Sequence, residues 1–176
     1  MAEGVLNIRE AVGSDAPVLL SFLQQMALET DLILWEESDF PDDLERFGQI
    51  LEESYHSLAS LCLLAYVDDQ LCGVLHLRGK QGRRLNHIAD VFIVLAPAFR
   101  GYGIGSLMMQ ETLDWVTTMD LLRRIELTVQ VRNKAAVALY QKFGFEIEGI
   151  QKRGVQDADG VLLDLYSMAL LIGSDV

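Results

Sequence analysis

The stretch HIADVFIVLAPAFRGYGIGS, residues 87–106, decides the fold. Its first half, His87–Leu95, is an almost continuous apolar run, as suits a central strand covered on both faces. Its second half, Pro97–Ser106, crowds Gly101, Gly103 and Gly105 into one connection. That connection leads into Gly103–Met119, where Ile104, Leu107, Met108, Leu113, Val116 and Met119 recur with helical spacing. Glycines keep side chains out of the way, so backbone N–H groups can approach an anion closely. At a helix start those groups are unsatisfied donors with a positive dipole behind them. The loop therefore reads as a pyrophosphate site, with Arg100 adding a full charge at its rim.

A tight strand-to-helix connection would also use glycines, and spacing separates the alternatives. The dinucleotide pattern G-x-G-x-x-G fails, because Met108 stands where the third glycine should be. The P-loop pattern fails because no lysine follows. What fits is [Arg/Gln]-x-x-Gly-x-[Gly/Ala], through Arg100, Gly103 and Gly105.

On the N-terminal side, Val5–Arg9 alternates like a short strand. Ser14 offers an N-cap oxygen to a helix that carries Val18, Leu19, Phe22, Leu23 and Met26 on one face. A second helix starts near Ser38–Pro41, with Leu44, Phe47, Ile50, Leu51 and Tyr55 on one side. Leu61–Val67 and Gln70–Leu77 form a hairpin turned at Asp68-Asp69. On the C-terminal side come a strand at Arg124–Val131, a helix at Asn133–Phe143, and strands at Phe145–Gln151 and Val161–Leu171. The order β α α β β β α β α β β is neither strictly alternating nor segregated. It predicts an α/β fold of the α+β sandwich kind, with a mixed, mostly antiparallel central sheet and helices on both faces.

At 176 residues, with 51% hydrophobic and 23% charged residues and no linker-like tract, residues 1–176 are expected to form one domain. The start MAEGVLNIREAV lacks the basic and apolar regions of a secretory signal, and no apolar run is long enough to cross a bilayer. The hairpin turn puts Cys62 opposite a residue near Leu75, so Cys62 and Cys72 are read as buried free thiols in a reducing cytoplasm. The net charge of −12 argues against nucleic acid as a partner and leans mildly towards cationic ones such as amines. Arg78, Lys80, Arg83 and Arg84 form a local basic cluster, either a solvated hairpin tip or a guide for an anionic part of an acceptor. His56, His76 and His87 show no metal-ligand spacing, and no metal is expected.

A second motif lies at Val131-Arg-Asn-Lys-Ala-Ala-Val-Ala-Leu-Tyr-Gln-Lys-Phe-Gly-Phe145. Asn133 sits where an N-cap belongs. Tyr140 lies seven residues on, two turns along the same face, where an isolated tyrosine is by default a core residue. With the Arg100–Gly105 pattern before it, the chain resembles the GNAT superfamily of acetyl-CoA-dependent N-acetyltransferases from about Val5 to Leu171. Asn133, Tyr140, Gly144 and Phe145 occupy that family's places.

The resemblance implies transfer of an acetyl group from acetyl-CoA to a primary amine, either a small molecule or a protein amino group, in a ternary complex. It implies that His87–Leu95 and Arg124–Val131 are parallel neighbours that splay apart to admit the pantetheine arm. The cofactor would meet Ile93, Val94, Leu95, Arg100, Gly101, Tyr102, Gly103, Ile104, Gly105, Ser106, Asn133 and Tyr140, with one N–H of Ile93–Leu95 at the developing oxyanion. Tyr140 becomes the general acid for the departing sulfur. Asp90, inside the apolar run where many relatives carry Glu, becomes the general base through a water. Burial would strengthen it as a base, and His87 is the alternative. Glu29 and Thr30 would line the acceptor pocket, and a homodimer through the final strands is implied on the same ground. Two other readings remain: a CoA-binding regulatory module without turnover, and an enzyme using a different acyl-CoA.

Overall fold

A computed structural model describes residues 4–35, 41 and 43–173. Strand β1 (Leu6–Glu10) is followed by helices α1 (Ala16–Glu29) and α2 (Leu44–Tyr55). Strands β2 (Leu61–Val67), β3 (Gln70–Gly79) and β4 (Ile88–Leu95) then precede helix α3 (Ile104–Met119). Strand β5 (Arg124–Gln130), helix α4 (Lys134–Lys142) and strands β6 (Glu146–Gln156) and β7 (Leu162–Leu171) complete the order.

The strands form one seven-stranded sheet, in the order β1-β2-β3-β4-β5-β7-β6. Every neighbouring pair is antiparallel except β4 and β5. The mixed, mostly antiparallel sheet read from the sequence is therefore the one observed. Side chains alternate between its faces. Leu64, Val74 and Val94 pack with Leu19, Phe22, Leu23 and Met26 of α1 and Leu51 of α2. Leu63, Leu75, Val91 and Ile125 pack on the other face with Ile104, Met108 and Val116 of α3 and Val137 of α4. Strand β4 thus lies between two apolar layers, which is why its sequence shows no polar stripe.

The parallel pairing of β4 with β5 is short. It joins Ile88 to Arg124, Ala89 to Ile125 and Asp90 to Glu126, and then stops. Arg123 and Arg124 N–H groups both donate to His87 O, at 2.8 and 3.2 Å, and Lys80 spans to Glu126 and Asp90. Beyond Asp90 the strands separate. At its far end β5 is tied elsewhere, because the buried Gln130 amide donates to Asp31 O in the α1–α2 connection.

Several local details differ from the sequence expectations. Ser14 is not the N-cap of α1. A 3-10 turn at Gly13–Asp15 precedes the helix, and Asp15 instead accepts from Val12 N–H at 2.9 Å and pairs with Arg9. Val18 and Leu107 are exposed rather than core-facing, while Leu20 and Met109 are buried. Helix α2 begins at Leu44, where the Asp43 carboxylate accepts from Glu45 and Arg46 N–H groups. The expected start is near Ser38–Pro41; Ser38 lies outside the described residues, and Pro41 precedes the helix. Cys62 faces His76, the neighbour of Leu75, and both cysteines are free and buried, as the sequence suggests. Strand β6 runs past Gln151 to Gln156 through a bulge, where Arg153 takes a φ of 56° and its N–H donates to Asp164 at 2.9 Å. The Asp68-Asp69 turn is as expected, with both residues at positive φ in a two-residue hairpin loop.

Candidate active site

The separation of β4 from β5 opens a cleft through the middle of the sheet. Two cavities occupy it, one of about 520 Å³ on the α3 side and one of about 500 Å³ towards β3. They meet at Leu32, Ile33, Ile93, Asn133 and Ala136, which line both. Past Asp90 the β4 backbone has no ladder with β5, so strand groups on that edge face the cleft.

The first cavity is bounded by Ile93–Leu95 of β4, by Arg100, Gly101, Gly103, Gly105 and Ser106, and by one side of α4. Gly101 and Gly103 take φ of +83° and +85°, a region that disfavours other residues. A Cβ at either would meet nothing within 4 Å, so the loop presents bare backbone to open space. The first α3 backbone bond runs from Leu107 N–H to Gly103 O, and no side chain caps the helix. Its leading N–H groups therefore remain available to a ligand. Arg100 is held beside the loop by its Nε donating to Leu95 O at 2.9 Å. Across the mouth, Lys142 of α4 donates to Ser106 Oγ at 3.0 Å. In a chain of net charge −12, two cations and a helix start converge on one cavity.

The second cavity is reached by Tyr140 from α4, Asp90 and Phe92 from β4, His76 and Arg78 from β3, Thr128 from β5, and Leu32–Trp35. Tyr140 is 5% exposed, and its ring leans on Phe145 with centroids 5.6 Å apart. Burial pushes its phenol well above the usual range, so it carries its proton at any working pH. His76 packs edge-on against Phe92, which in turn meets Trp35. Desolvation in this recess, with the charge of Arg78 nearby, pushes His76 down to about 4 and leaves it neutral at pH 7.

Asp90 departs from expectation in its surroundings. Its side chain is 41% exposed, and its carboxylate lies 3.6 Å from Lys80 Nζ. The strand turns this residue towards the open edge of the cleft, so the burial that was to strengthen it as a base is not present. His87 is exposed and lies ahead of β4.

The other sequence-derived residues divide as follows. Ile93, Val94, Leu95, Arg100, Gly101, Gly103, Gly105, Ser106, Asn133 and Thr30 line the first cavity. Asn133 also caps α4, its Oδ1 accepting from Ala136 N–H at 3.2 Å. Tyr102 stands exposed outside the lining, and the Ile104 side chain is buried in the core, leaving only their backbone at the loop. Tyr140 faces the second cavity and not the first. Glu29 lines neither. It ends α1 on the surface, where Gln25 Nε2 donates to it at 2.6 Å. In its place the connection after α1 brings in Leu32, Ile33 and Trp35, held over the cleft by Gln130. No cluster of metal-ligating side chains occurs among the described residues.

Residues 22–145 match the acetyltransferase (GNAT) family. The chain belongs to the GNAT acetyltransferases. A GNAT-family acetyltransferase from Streptococcus pneumoniae superimposes with a TM-score of 0.91 at 39% identity, over 96% of this chain and 100% of that one. The L-amino acid N-acetyltransferase AaaT of Escherichia coli (strain K12) is 36% identical over 107 residues, which is 61% of this chain and 65% of its relative. This GNAT chain thus spans less than two thirds of the length of that curated relative. A GNAT-superfamily phosphinothricin acetyltransferase from Sinorhizobium meliloti, solved in complex with acetyl-CoA, shares the fold at a TM-score of 0.80 and 20% identity, over 96% of this chain and 89% of that one. No helix among the described residues of the GNAT chain is long and apolar enough to cross a membrane.

Proposed function

We propose that this chain is an acetyl-CoA-dependent N-acetyltransferase that acts on a primary amine by direct transfer in a ternary complex. The observation that carries the reading is the cleft itself. One end is a bare glycine loop and open helix start flanked by Arg100 and Lys142, and the other holds a buried, protonated tyrosine. The first end fits a pyrophosphate, and the exposed edge of β4 fits an extended amide-bearing arm by strand-like hydrogen bonding. The binding set is therefore Ile93–Leu95, Arg100, the Gly101–Ser106 backbone and Asn133.

Acetyl-CoA, when bound there, supplies an acetyl group activated as a thioester. The protein's own part begins with the amine. An alkylammonium with a pKa near 10 is neutral in only about one molecule in a thousand at pH 7. Asp90, at the open edge of the second cavity, takes the excess proton through a water. Backbone N–H groups of β4 steady the carbonyl oxygen. As the amine nitrogen bonds to the acetyl carbon and the carbon–sulfur bond breaks, Tyr140 delivers its phenolic proton to the leaving sulfur. The second proton lost by nitrogen passes to water, Asp90 gives the first up to solvent and Tyr140 is reprotonated from solvent, so that the products are an N-acetyl amide and a free thiol.

The acceptor belongs to a class that includes amino acids, given the name of the Escherichia coli relative. A reducing, cytoplasmic setting is part of the proposal, supported by the two free cysteines. Initial rates measured while both acetyl-CoA and amine are varied test the reading. Intersecting reciprocal plots are expected, and parallel lines would refute direct transfer.

A further inference from the structure

Behind the acceptor end of the cleft lies a third, partly open cavity of about 320 Å³, between α1, α2 and the β2–β4 face of the sheet. Its walls include Leu19 and Leu23 of α1, Phe47 and Leu51 of α2, and Val74 of β3. Four residues, Trp35, His76, Arg78 and Phe92, line this cavity and the 500 Å³ one alike, so the two are continuous past a ring of aromatic edges. A cavity of about 150 Å³ already accepts a benzene ring. Ser54 Oγ, buried at its wall, has no hydrogen-bond partner.

The charged groups at the junction are arranged as a pair. Arg78 and Asp90 are directly opposite in the β3–β4 register, so both project from the same face of neighbouring strands. Opposed residues in such a ladder stand about 5 Å apart at their Cα atoms. Yet no ion pair joins them, and Arg78 has none among the described residues, whereas Lys80 takes Asp90 and Glu126. His76, neutral and packed on Phe92, adds no competing charge beside Arg78.

Resting on the acetyltransferase reading, we infer that the acceptor is a free α-amino acid with an apolar side chain, whose carboxylate is held by Arg78 and whose side chain fills the cavity behind Phe92. An α-amino acid carries its amine and carboxylate one carbon apart, which matches an acid and a guanidinium presented side by side. Its amine then lies on the Asp90 side, within the cavity that Tyr140 reaches. A protein N-terminus lacks the carboxylate next to its amine and would leave Arg78 without a partner. A polyamine would bring a second cation to it.

The test compares L-phenylalanine, L-phenylalaninamide, phenethylamine and glycine as acceptors at saturating acetyl-CoA, with acetyl-CoA binding measured separately by calorimetry. A guanidinium–carboxylate contact of ordinary strength predicts that L-phenylalanine exceeds its amide and phenethylamine by about 10- to 100-fold in kcat/KM. In Arg78→Gln the ratio of L-phenylalanine to phenethylamine should collapse towards one. In Ser54→Leu, which fills the rear cavity, the ratio of L-phenylalanine to glycine should fall. Equal use of the acid and its amide, or a preference for the amide, would overturn the inference while leaving the acetyltransferase reading intact, as would an unchanged ratio in Arg78→Gln. Folded protein that fails to bind acetyl-CoA would overturn both.

Discussion

Replacing Tyr140 by phenylalanine separates catalysis from folding, and the structure sets the size of both effects. The ring is buried and leans on Phe145, and phenylalanine keeps that packing. The hydroxyl has no hydrogen bond to the protein among the described residues, and its upward shift comes from desolvation alone. Removing it therefore costs the fold less than about 1 kcal/mol, which for a chain of this size is a melting shift within about 4 °C. The catalytic effect should be far larger. A positioned general acid is worth about 10²- to 10⁴-fold in rate, or roughly 3–5 kcal/mol of barrier. Acetyl-CoA affinity should barely move, because Tyr140 does not line the cavity beside the glycine loop. Thiol release from acetyl-CoA, followed with a thiol-reactive dye, is a clean assay here. Cys62 and Cys72 are 3% and 0% exposed, and burial pushes the Cys62 thiol up to about 12, so folded protein contributes no signal. A Tyr140→Phe enzyme with unchanged kcat would refute the acid role. A large loss of melting temperature would show instead that the hydroxyl is structural.

Other outcomes follow from the same geometry. Asn133→Ala removes the oxygen that caps α4, and should cost about 1 kcal/mol by denaturant titration while also weakening acetyl-CoA binding by calorimetry. His76 is held near 4 when folded and titrates near 6.5 when unfolded, so the unfolded state takes up the extra proton between those values. Stability should be complete above about pH 6.5 and fall as pH drops towards 4, by up to about 3 kcal/mol from this residue. His76→Phe should flatten that part of the melting-temperature profile, and a profile unchanged by the substitution would contradict the desolvated site. Glu126 is held below the usual carboxylate range, chiefly by Lys80 and then by Arg124. Its contribution should be present at neutral pH and be lost as acid protonates it, so Glu126→Gln should lower the melting temperature more at pH 7 than at pH 3.

The parts of the site that are contiguous in the chain were legible without a structure. The loop from Arg100 to Ser106 and the Asn133–Tyr140 stretch are each short and local, and both line the cleft as the sequence suggests. The splaying of β4 from β5 was also expected through the family likeness, and the pairing does stop at Asp90. What stayed hidden depends on register between strands. His76 meets Phe92, and Arg78 faces Asp90, only because β3 and β4 align as they do, and no spacing within either strand announces it. Arg78 could be noticed as one of a basic group, but not separated from Arg83 and Arg84 at the hairpin tip. Glu29 lies outside both cavities for a related reason. The end of a helix can be read from sequence, but the path of the chain after it cannot, and here that path brings Leu32–Trp35 over the cleft. The burial of Asp90 was misjudged because an apolar run signals a strand covered on both faces, while the end of this strand opens to solvent.

The most direct measurement is calorimetric titration of the folded protein with acetyl-CoA and with free CoA, alongside Gly103→Glu and Gly103→Ala. Both substitutions put a side chain at a φ of +85°, with an expected backbone strain of about 1–2 kcal/mol, and a new Cβ meets nothing within 4 Å. Beyond that shared Cβ, glutamate adds a longer arm that places a carboxylate where the pyrophosphate should lie. Micromolar binding by the wild type, largely retained in the alanine variant and lost in the glutamate variant, is the predicted result. No binding by folded wild-type protein, or equal binding by the glutamate variant, would contradict a CoA site at this loop.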